Sequence, residues 1–312
     1  MAKYGSHSFA ITDTAGTPVM TAFHVDSMAI PANVSLTEDQ SGDIFDSLIG
    51  LQSIMPNMTC TTRSVAEALS LLGFQGGCLG ADPLPLAKFE QFFRPKTSCG
   101  GTGGTNLGFA ATRGLYYLNT LTANRGQEAT LSFTLETLST DGSAAPVAMT
   151  ESATLPTSLN TDTFVPGDPQ IAGLSFPEAT AVTINFNSTT TDKQPGWGSI
   201  YPTEVGIEKV RPDLRIDGVD LARLKAAGVP IDSKEATHAN TLIPFRKKKN
   251  RSAFVADATQ EHFSLTMSGL FYFDTIASAS GNGTATNSLM LKAAREGSTA
   301  PIVASFDEAY AG

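Results

Sequence analysis

The chain has 312 residues, a formal net charge of −9 and only 16% charged residues. This acidic balance argues against wrapping nucleic acid through a basic face, because phosphate affinity depends on clustered Lys and Arg. No window approaches the roughly 18 apolar residues of a membrane helix, and the N-terminus lacks the apolar core of a signal peptide. We therefore expect a soluble protein that has no membrane anchor and is synthesised in a cytosol.

Thr, Ser, Ala and Gly are abundant, which favours strands and turns and predicts a mainly β or α+β protein. In the first part of the chain, apolar alternation predicts strands at 8–12, 19–25, 34–38, 115–121 and 129–138, with 86–93 as a strand or a docked loop. In the second part it predicts strands at 181–186, 204–210, 240–245, 253–256, 262–273 and 302–306.

Other segments are predicted to be irregular. The acidic segment 38–46 is interpreted as a loop, followed by a helical turn or packing plug formed by Ile44, Phe45, Leu48 and Ile49. The Gly-rich segment 99–108 has no preferred conformation of its own, and 278–288 has a flexible composition.

Two short helices are predicted, at about 64–73 and about 217–228. Ser64 and Glu67 have the spacing of a capping box, and Val65, Ala68, Leu69 and Leu72 share one face. In the second helix, Asp217 or Asp220 can cap the start, and Gly228 followed by Pro230 ends it. Helices this short need a partner surface, for which a sheet is the natural candidate.

A loose internal repeat indicates a duplicated design. Segment 53–73 resembles segment 199–228, since both begin Ser-Ile-x-Pro, pass an arginine and end in a short apolar helix. Segment 92–96 is matched to 244–248, and strand 129–138 to 262–273. Because the matched segments occur in the same order in both halves, the sequence predicts two tandem domains, 1–160 and 161–312, with a junction near 155–175. The competing explanation is chance similarity between two β-rich halves.

No catalytic, cofactor or metal site is predicted. The four histidines include no pair at metal-ligand spacing and none lies in a nucleophile motif, although a site assembled from distant residues stays open. Gly100–Thr105 lacks the Lys-Ser/Thr ending of a phosphate loop. Cys60, Cys78 and Cys99 fit neither a disulfide framework nor a zinc pattern, so we expect buried thiols. These observations indicate a protein that is not an enzyme.

One charged segment exceeds the background of this acidic chain: Arg246, Lys247, Lys248, Lys249 and Arg251, here called the basic run. A solvated hairpin tip that discourages edge-to-edge pairing is the plain structural interpretation. The functional alternatives are contact with an acidic surface of a neighbouring subunit, or nucleic-acid binding.

Duplicated β-rich domains, one short helix in each and no catalytic set together resemble a phage tail tube protein, specifically the two-domain tube subunit of a long-tailed bacteriophage. The resemblance depends on segments 53–73, 199–228, 129–138 and 262–273, about a third of the chain, and none is a signature motif. It implies two tandem β-sandwich or barrel-like domains, each with a flanking helix.

The resemblance also implies a function and partners. Rings, either trimers with pseudo-sixfold symmetry or hexamers, would stack into the DNA-conducting channel of the virion tail, with the tape-measure protein as another partner. DNA would pass without sequence recognition, no cofactor would be needed, and the basic run would lie away from the lumen. The alternatives are another virion component, such as a capsid, decoration or baseplate protein, or a β-rich carbohydrate-binding or protein-binding module or hydrolase.

Overall fold

The protein is described by a computed structural model, which covers residues 3–12, 18–39, 48–71, 88–96, 105–156, 159–191, 193–195, 198–229, 238–278, 286–295 and 300–311. We call the described residues up to 156 the first unit and those from 159 onward the second unit. Strands dominate both units and each has one short helix, so the predicted mainly β fold is confirmed.

The first unit contains ten strands and one helix. They are β1 (Lys3–Thr12), β2 (Pro18–Ala29), β3 (Val34–Asp39), β4 (Leu48–Ile54), β5 (Asn57–Thr62), α1 (Val65–Leu71), β6 (Lys88–Lys96), β7 (Leu107–Ala111), β8 (Gly114–Asn124), β9 (Thr130–Thr137) and β10 (Ala148–Glu151).

The second unit contains fourteen strands and one helix. They are β11 (Thr163–Pro166), β12 (Gln170–Ile171), β13 (Leu174–Ser175), β14 (Ala181–Asn185), β15 (Ser188–Thr190), β16 (Gln194–Pro195), β17 (Pro202–Glu204), β18 (Ile207–Val210), β19 (Asp213–Asp217), α2 (Leu221–Ala226), β20 (His238–Lys249), β21 (Ala253–Phe254), β22 (His262–Ser278), β23 (Thr286–Ala293) and β24 (Ile302–Glu308).

Eight antiparallel strands form a central sheet that runs through both units. Their order is β2–β5–β9–β8–β14–β19–β23–β22. In the outer layer, the first unit contributes β10–β7–β6–β1 and the second unit contributes β11 and β12, β20 and β24. One continuous apolar cluster fills the space between the layers, as expected for packed sheets with one apolar face each.

Two long strands belong to both layers. The first part of β2 pairs with β1 in the outer layer, and its last residues pair with β5 in the central sheet. In the same way, β22 pairs with β20 and β24 over its first part and with β23 over its second part. The two layers of each unit are therefore joined by an uninterrupted backbone.

The two units share one strand order. Within the central sheet, β2–β5–β9–β8 is followed by β14–β19–β23–β22, and in each set the second strand leads into the helix. The cross-strand registers also agree. Equivalent pairs are Met58–Leu135 and Leu214–Leu291, Cys60–Phe133 and Ile216–Leu289, and Gly114–Thr137 and Gly269–Ala293.

Each unit also inserts a hairpin between its first and second central strands. We call β3–β4 the first hairpin and β15–β18 the second hairpin. Asn33 and Asn187 precede them with φ angles of 46° and 45°, a left-handed conformation that Asn tolerates better than most residues. Both hairpins have a register shift after the second cross-strand pair, which is Ser35–Ser53 in one and Thr189–Lys209 in the other.

These registers correct the sequence matching. Residues 49–57 (Ile-Gly-Leu-Gln-Ser-Ile-Met-Pro-Asn) are equivalent to 205–213 (Val-Gly-Ile-Glu-Lys-Val-Arg-Pro-Asp), whereas 53–56 and 199–202 are neighbours, with Ile54 N–H donating to the Ile200 carbonyl at 2.9 Å. The match between 129–138 and 262–273 is also wrong, because β9 is equivalent to β23 and β22 is equivalent to β8. Residues 114–118 (Gly-Leu-Tyr-Tyr-Leu) correspond instead to 269–273 (Gly-Leu-Phe-Tyr-Phe).

Both predicted helices exist, with different caps. In α2, Asp220 accepts hydrogen bonds from Ala222 N at 2.7 Å and Arg223 N at 3.0 Å, which confirms the second of the two proposed caps. The predicted capping box of α1 is wrong. Ser64 N–H donates to Thr62 Oγ1, and Ser64 Oγ donates to the carbonyls of Asn160 and Asp162 because the chain entering β11 covers this helix end.

Several local predictions can be compared with the described strands. Leu48 and Ile49 lie in β4 and not in a helical turn, and β23 begins inside the segment predicted to be flexible. The buried-thiol prediction is confirmed for Cys60, whose thiol pKa is raised by burial. Cys78, Cys99, Ile44 and Phe45 lie outside the described residues, as does most of the Gly-rich segment 99–108. The predicted domain boundary falls between β10 and β11, which pair with strands of different units.

Candidate assembly interface

The central sheet ends in two strand edges that have no partner among the described residues. At one end, residues 27–29 of β2 pair with β5 on one side only, because β1 stops pairing at His24. At the other end, β22 pairs with β20 only as far as Leu270, so residues 271–278 pair with β23 alone. Exposed backbone donors and acceptors on such edges readily pair with another strand.

The molecule itself shows how two edges of this kind pair. Where the units meet, β8 lies antiparallel to β14, with Leu121 opposite Ile184 and Thr122 opposite Thr183. We call this contact the internal junction. Since β22 is the equivalent of β8 and β2 is the equivalent of β14, each free edge of the central sheet corresponds to one side of the internal junction.

Burial differs sharply between equivalent positions on these strands. Leu121 of the internal junction is fully buried, whereas Ile276, which follows the equivalent bulge in β22, is 51% exposed. Ile184 is likewise fully buried, and its equivalent near the end of β2, Ile30, is only partly buried. Both free edges therefore present apolar side chains that are not fully buried. Pairing with a second strand would cover them, as strand pairing in the internal junction covers Leu121 and Ile184.

The side of the central sheet that faces away from the core carries mostly hydroxyl and amide side chains. We call it the hydroxyl face, formed by Thr59, Thr61, Thr120, Thr122, Ser132, Thr134, Thr183 and Asn185. Hydrogen bonds link these neighbours across strands, including Thr120 with Ser132 and Asn119 with Thr134, both at 2.9 Å. Among the described strand residues of this face, the cations are Arg215 and Lys292, and Arg215 pairs with Asp217.

The second hairpin folds back over the first unit. Val205 is buried against Leu115 and Leu138, and Ile207 packs on the same cluster. Beside it, Lys193 forms an ion pair with Glu136, and both side chains are nearly inaccessible to solvent. Tyr117 donates a hydrogen bond to the other Glu136 oxygen, and burial followed by the Glu136 charge raises the pKa of Tyr117 to about 12.

Replacing Lys193 by methionine is expected to destabilise the protein by about 3–5 kcal/mol, because the nearly inaccessible Glu136 carboxyl group would lose its ion-pair partner. The double variant Lys193→Met/Glu136→Gln should lose clearly less, since it removes the buried charge as well. Urea denaturation followed by fluorescence measures both. Equal losses for the single and double variants would contradict a coupled pair.

The basic run lies at the end of β20 and in the following turn, and most of it contacts carboxylates of the same chain. Lys247 Nζ lies 3.1 Å from Asp162 and 3.2 Å from Glu261. Arg246 pairs with Asp257 at 2.7 Å and covers the Phe254 ring. Lys248 and Arg251 both approach Glu128 of the first unit, whereas Lys249 is exposed. The run therefore connects the two units electrostatically.

Glu128 is the centre of this network. Arg63 donates to it at 3.0 Å and Thr163 at 3.1 Å. Partial burial acts to raise the pKa of Glu128, but these hydrogen bonds and the charges of Arg251 and Lys248 outweigh it, so the pKa is lowered. A carboxyl group whose pKa is lowered by folding stabilises the fold when the pH is above the ordinary glutamate pKa. This contribution is lost as the pH falls through the pKa of the group in the folded protein.

Glu128→Gln is therefore expected to reduce the free energy of unfolding by about 1–2 kcal/mol at pH 7. The difference from the wild type should begin to shrink as the pH falls below about 4.5, the ordinary glutamate value, and should disappear as the pH falls through the lower pKa of the folded protein. Urea titrations at several pH values measure this. Glu208→Gln is the control, because Glu208 and its partner Lys209 are both half exposed and should contribute little.

Within the described part of the chain, no group of three His, Cys, Asp or Glu residues could hold a metal ion. A polar cleft of about 660 Å³ lies at the base of the first hairpin, lined by Asn33, Ser35, Gln52, Ser53, Met55, Asn57, Glu136, Thr190, Thr191, Lys193 and Pro195. Its two charged residues, Glu136 and Lys193, form an ion pair with each other. The described helices include none long and apolar enough to cross a membrane.

No model of a known protein family matches the chain, and no curated protein matches it significantly. The candidate interface therefore depends on geometry alone. Sequence analysis singled out the basic run and missed the two free edges. Comparing residues 114–118 with 269–273 could have found them, because this comparison aligns β8 with β22.

Proposed function

We propose that the chain is a structural subunit that assembles into rings, and that these rings stack as the tail tube of a long-tailed bacteriophage. The observation that carries the proposal is the internal junction, since its two sides have equivalents at the free ends of the same sheet. The two units are then copies of one domain. Pairing β22 of one chain with β2 of the next would repeat the junction around a ring.

Closure would turn the central sheets into one continuous barrel. With two units in each chain, a trimer would contain six equivalent positions, and a hexamer would contain twelve. Equivalence also predicts the register of the new contact: Ile276 opposite Ile30 of the next chain, as Leu121 lies opposite Ile184. Closed barrels remove the exposed edges that a separate chain presents.

The hydroxyl face suits the lumen of such a barrel. Its described strands carry short neutral side chains and few cations, so phosphate groups would find few sites that hold them. DNA would therefore pass without sequence recognition. Stacked rings would also require contacts with other tail proteins, including a tape measure. The exposed Lys249 and its neighbours in the basic run remain our predicted contact with an acidic surface of an adjacent subunit, away from the lumen.

The test is assembly of the purified full-length chain. Sedimentation should give trimers or hexamers, and electron microscopy should show rings or tubes with a central channel. A monomer at all concentrations would overturn the proposal, and closed shells would favour a capsid or decoration protein.

A cysteine pair tests the contact itself. Cys78 and Cys99 are first replaced by serine, and Ile276→Cys and Ile30→Cys are then placed in separate chains. Mixing and oxidising the two variants should give a disulfide-linked dimer that contains both. Lys225→Cys, on the exposed side of α2, is the control and should form no such dimer with either variant.

A further inference from the structure

We propose that the first hairpin docks onto the second unit of a neighbouring copy, as the second hairpin docks onto the first unit within the chain. The inference builds on the proposed ring, which places a second unit beside β2. Its evidence is separate, because it comes from the hairpins and not from the strand edges.

The apolar residues of the two hairpins occupy equivalent positions with opposite burial. In both hairpins a glycine, Gly50 or Gly206, lies between the two apolar residues of the returning strand. Val205 is 8% exposed and packs on Leu115 and Leu138, while its equivalent Ile49 is 61% exposed. Leu51, the equivalent of Ile207, is 48% exposed.

Val34 and Leu36 extend this surface, since each is half exposed on β3. Four large apolar side chains thus project from one hairpin of an acidic chain. Such a cluster is typical of a protein contact.

The surface that receives the second hairpin also has an equivalent in the second unit. The places of Leu115 and Leu138 in the first unit correspond to Leu270 and Ala294 in the second. Leu138 N–H donates to the Arg113 carbonyl, and Ala294 N–H donates in the same way to the Ser268 carbonyl, both at 3.0 Å. Both Leu270 and Ala294 are partly exposed. A hairpin seated there would bury them together with Ile49 and Leu51.

The two positions of the ion pair at the docked hairpin have equivalents that carry the opposite charges. Glu136 lies opposite Leu115, and the residue opposite Leu270 is Lys292, which is exposed. Lys193 lies level with Val205, because Thr191 bonds to Gly206 and Gln194 pairs with Glu204. The residue opposite the equivalent Ile49 in the first hairpin is Glu38, which is exposed. Between Pro31 and Pro56 the sequence contains four acidic residues and no Lys or Arg. The first hairpin is thus suited to a cationic position on its partner.

The partner is therefore a second copy of this chain. Ile49 and Leu51 would contact its Leu270 and Ala294, and Glu38 would lie opposite its Lys292. A charge-exchange experiment on the full-length protein tests it. Glu38→Lys should raise the concentration at which half of the chains assemble by at least about tenfold. Glu38→Lys/Lys292→Glu should return that concentration to within about threefold of the wild type, whereas Glu38→Lys/Lys225→Glu should not. Failure of the rescue would overturn the inference.

Crosslinking separates this inference from the ring itself. In the background without Cys78 and Cys99, chains carrying Leu51→Cys are mixed with chains carrying Ala294→Cys and oxidised. We expect a covalent dimer that contains both variants. If Ile276→Cys and Ile30→Cys form a crosslink but Leu51→Cys and Ala294→Cys do not, the ring stands and hairpin docking is wrong. If neither pair forms a crosslink, both are wrong.

Discussion

Gly269→Val is expected to destabilise the fold by at least about 3 kcal/mol, because a side chain at this position would meet the backbone of the neighbouring strand. A Cβ atom there would approach the carbonyl oxygen of Lys292 far inside van der Waals contact. Gly114 is the equivalent residue of the first unit, and its Cβ would lie 2.5 Å from the carbonyl oxygen of Glu136. Neither neighbour can move without breaking a central strand pair, so the cost exceeds that of ordinary overpacking.

Urea denaturation of Gly269→Val, Gly114→Val and Gly50→Val provides the comparison. A Cβ atom at Gly50 would have no heavy atom within 4 Å, so Gly50→Val should stay within about 0.5 kcal/mol of the wild type. Gly269→Val and Gly114→Val should lose similar amounts of stability, because the two glycines lie in equivalent strand pairs. A stable Gly269→Val protein with unchanged secondary structure would contradict the register between β22 and β23.

Aspartate at two equivalent positions is expected to separate folding from assembly. Leu121→Asp places a carboxylate in the fully buried internal junction and should cost more than about 4 kcal/mol, a large share of the stability of an ordinary protein. Ile276→Asp changes a half-exposed residue at a free edge. The separate chain should therefore keep its melting temperature within a few degrees, while the concentration needed for assembly rises at least about a hundredfold.

Sedimentation and thermal denaturation of both variants measure these outcomes. Tyr272→Ser is the matched control for Ile276→Asp, because Tyr272 is an exposed residue of the same strand that lies on the hydroxyl face and not toward the core. Its effect on assembly should be much smaller. Rings formed by Ile276→Asp as readily as by the wild type would exclude β22 as the assembly edge.

Much of the fold could be predicted from periodicity. Leu131, Phe133 and Leu135 alternate with Ser and Thr in β9, and the structure buries all three against the helix side of the sheet. Asp220 was a recognisable cap because it directly precedes an apolar helical face. Such features depend only on neighbours in sequence, so local patterns were sufficient to find them.

Long-range relations were harder to predict. The strand β23 was overlooked because Thr286, Asn287 and Ser288 are typical of a turn, yet pairing with β19 and β22 on either side makes this segment a central strand. The two units were matched one strand out of step, since several strands of this chain share the same apolar alternation. Only cross-strand pairs such as Cys60–Phe133 and Ile216–Leu289 fix the alignment.

The two free edges could not be found from local sequence patterns either. Ile276 and Ile30 look like ordinary core residues in sequence, and only the absence of a described partner strand distinguishes them from Leu121 and Ile184. The basic run attracted more interest because its charge stands out. The structure accounts for much of that charge through Asp162, Glu261, Asp257 and Glu128 within the chain.

The passage of β2 and β22 through both layers has a mechanical consequence. Each strand that offers a free edge continues without interruption into the outer layer, where it is held by β1 or by β20 and β24. A force that pulls on either edge is therefore carried along covalent bonds into the far layer and is shared among several strands there. Peeling one edge strand away would require tearing both layers at once, so the borders of the sheet resist tension better than a strand anchored in one layer could.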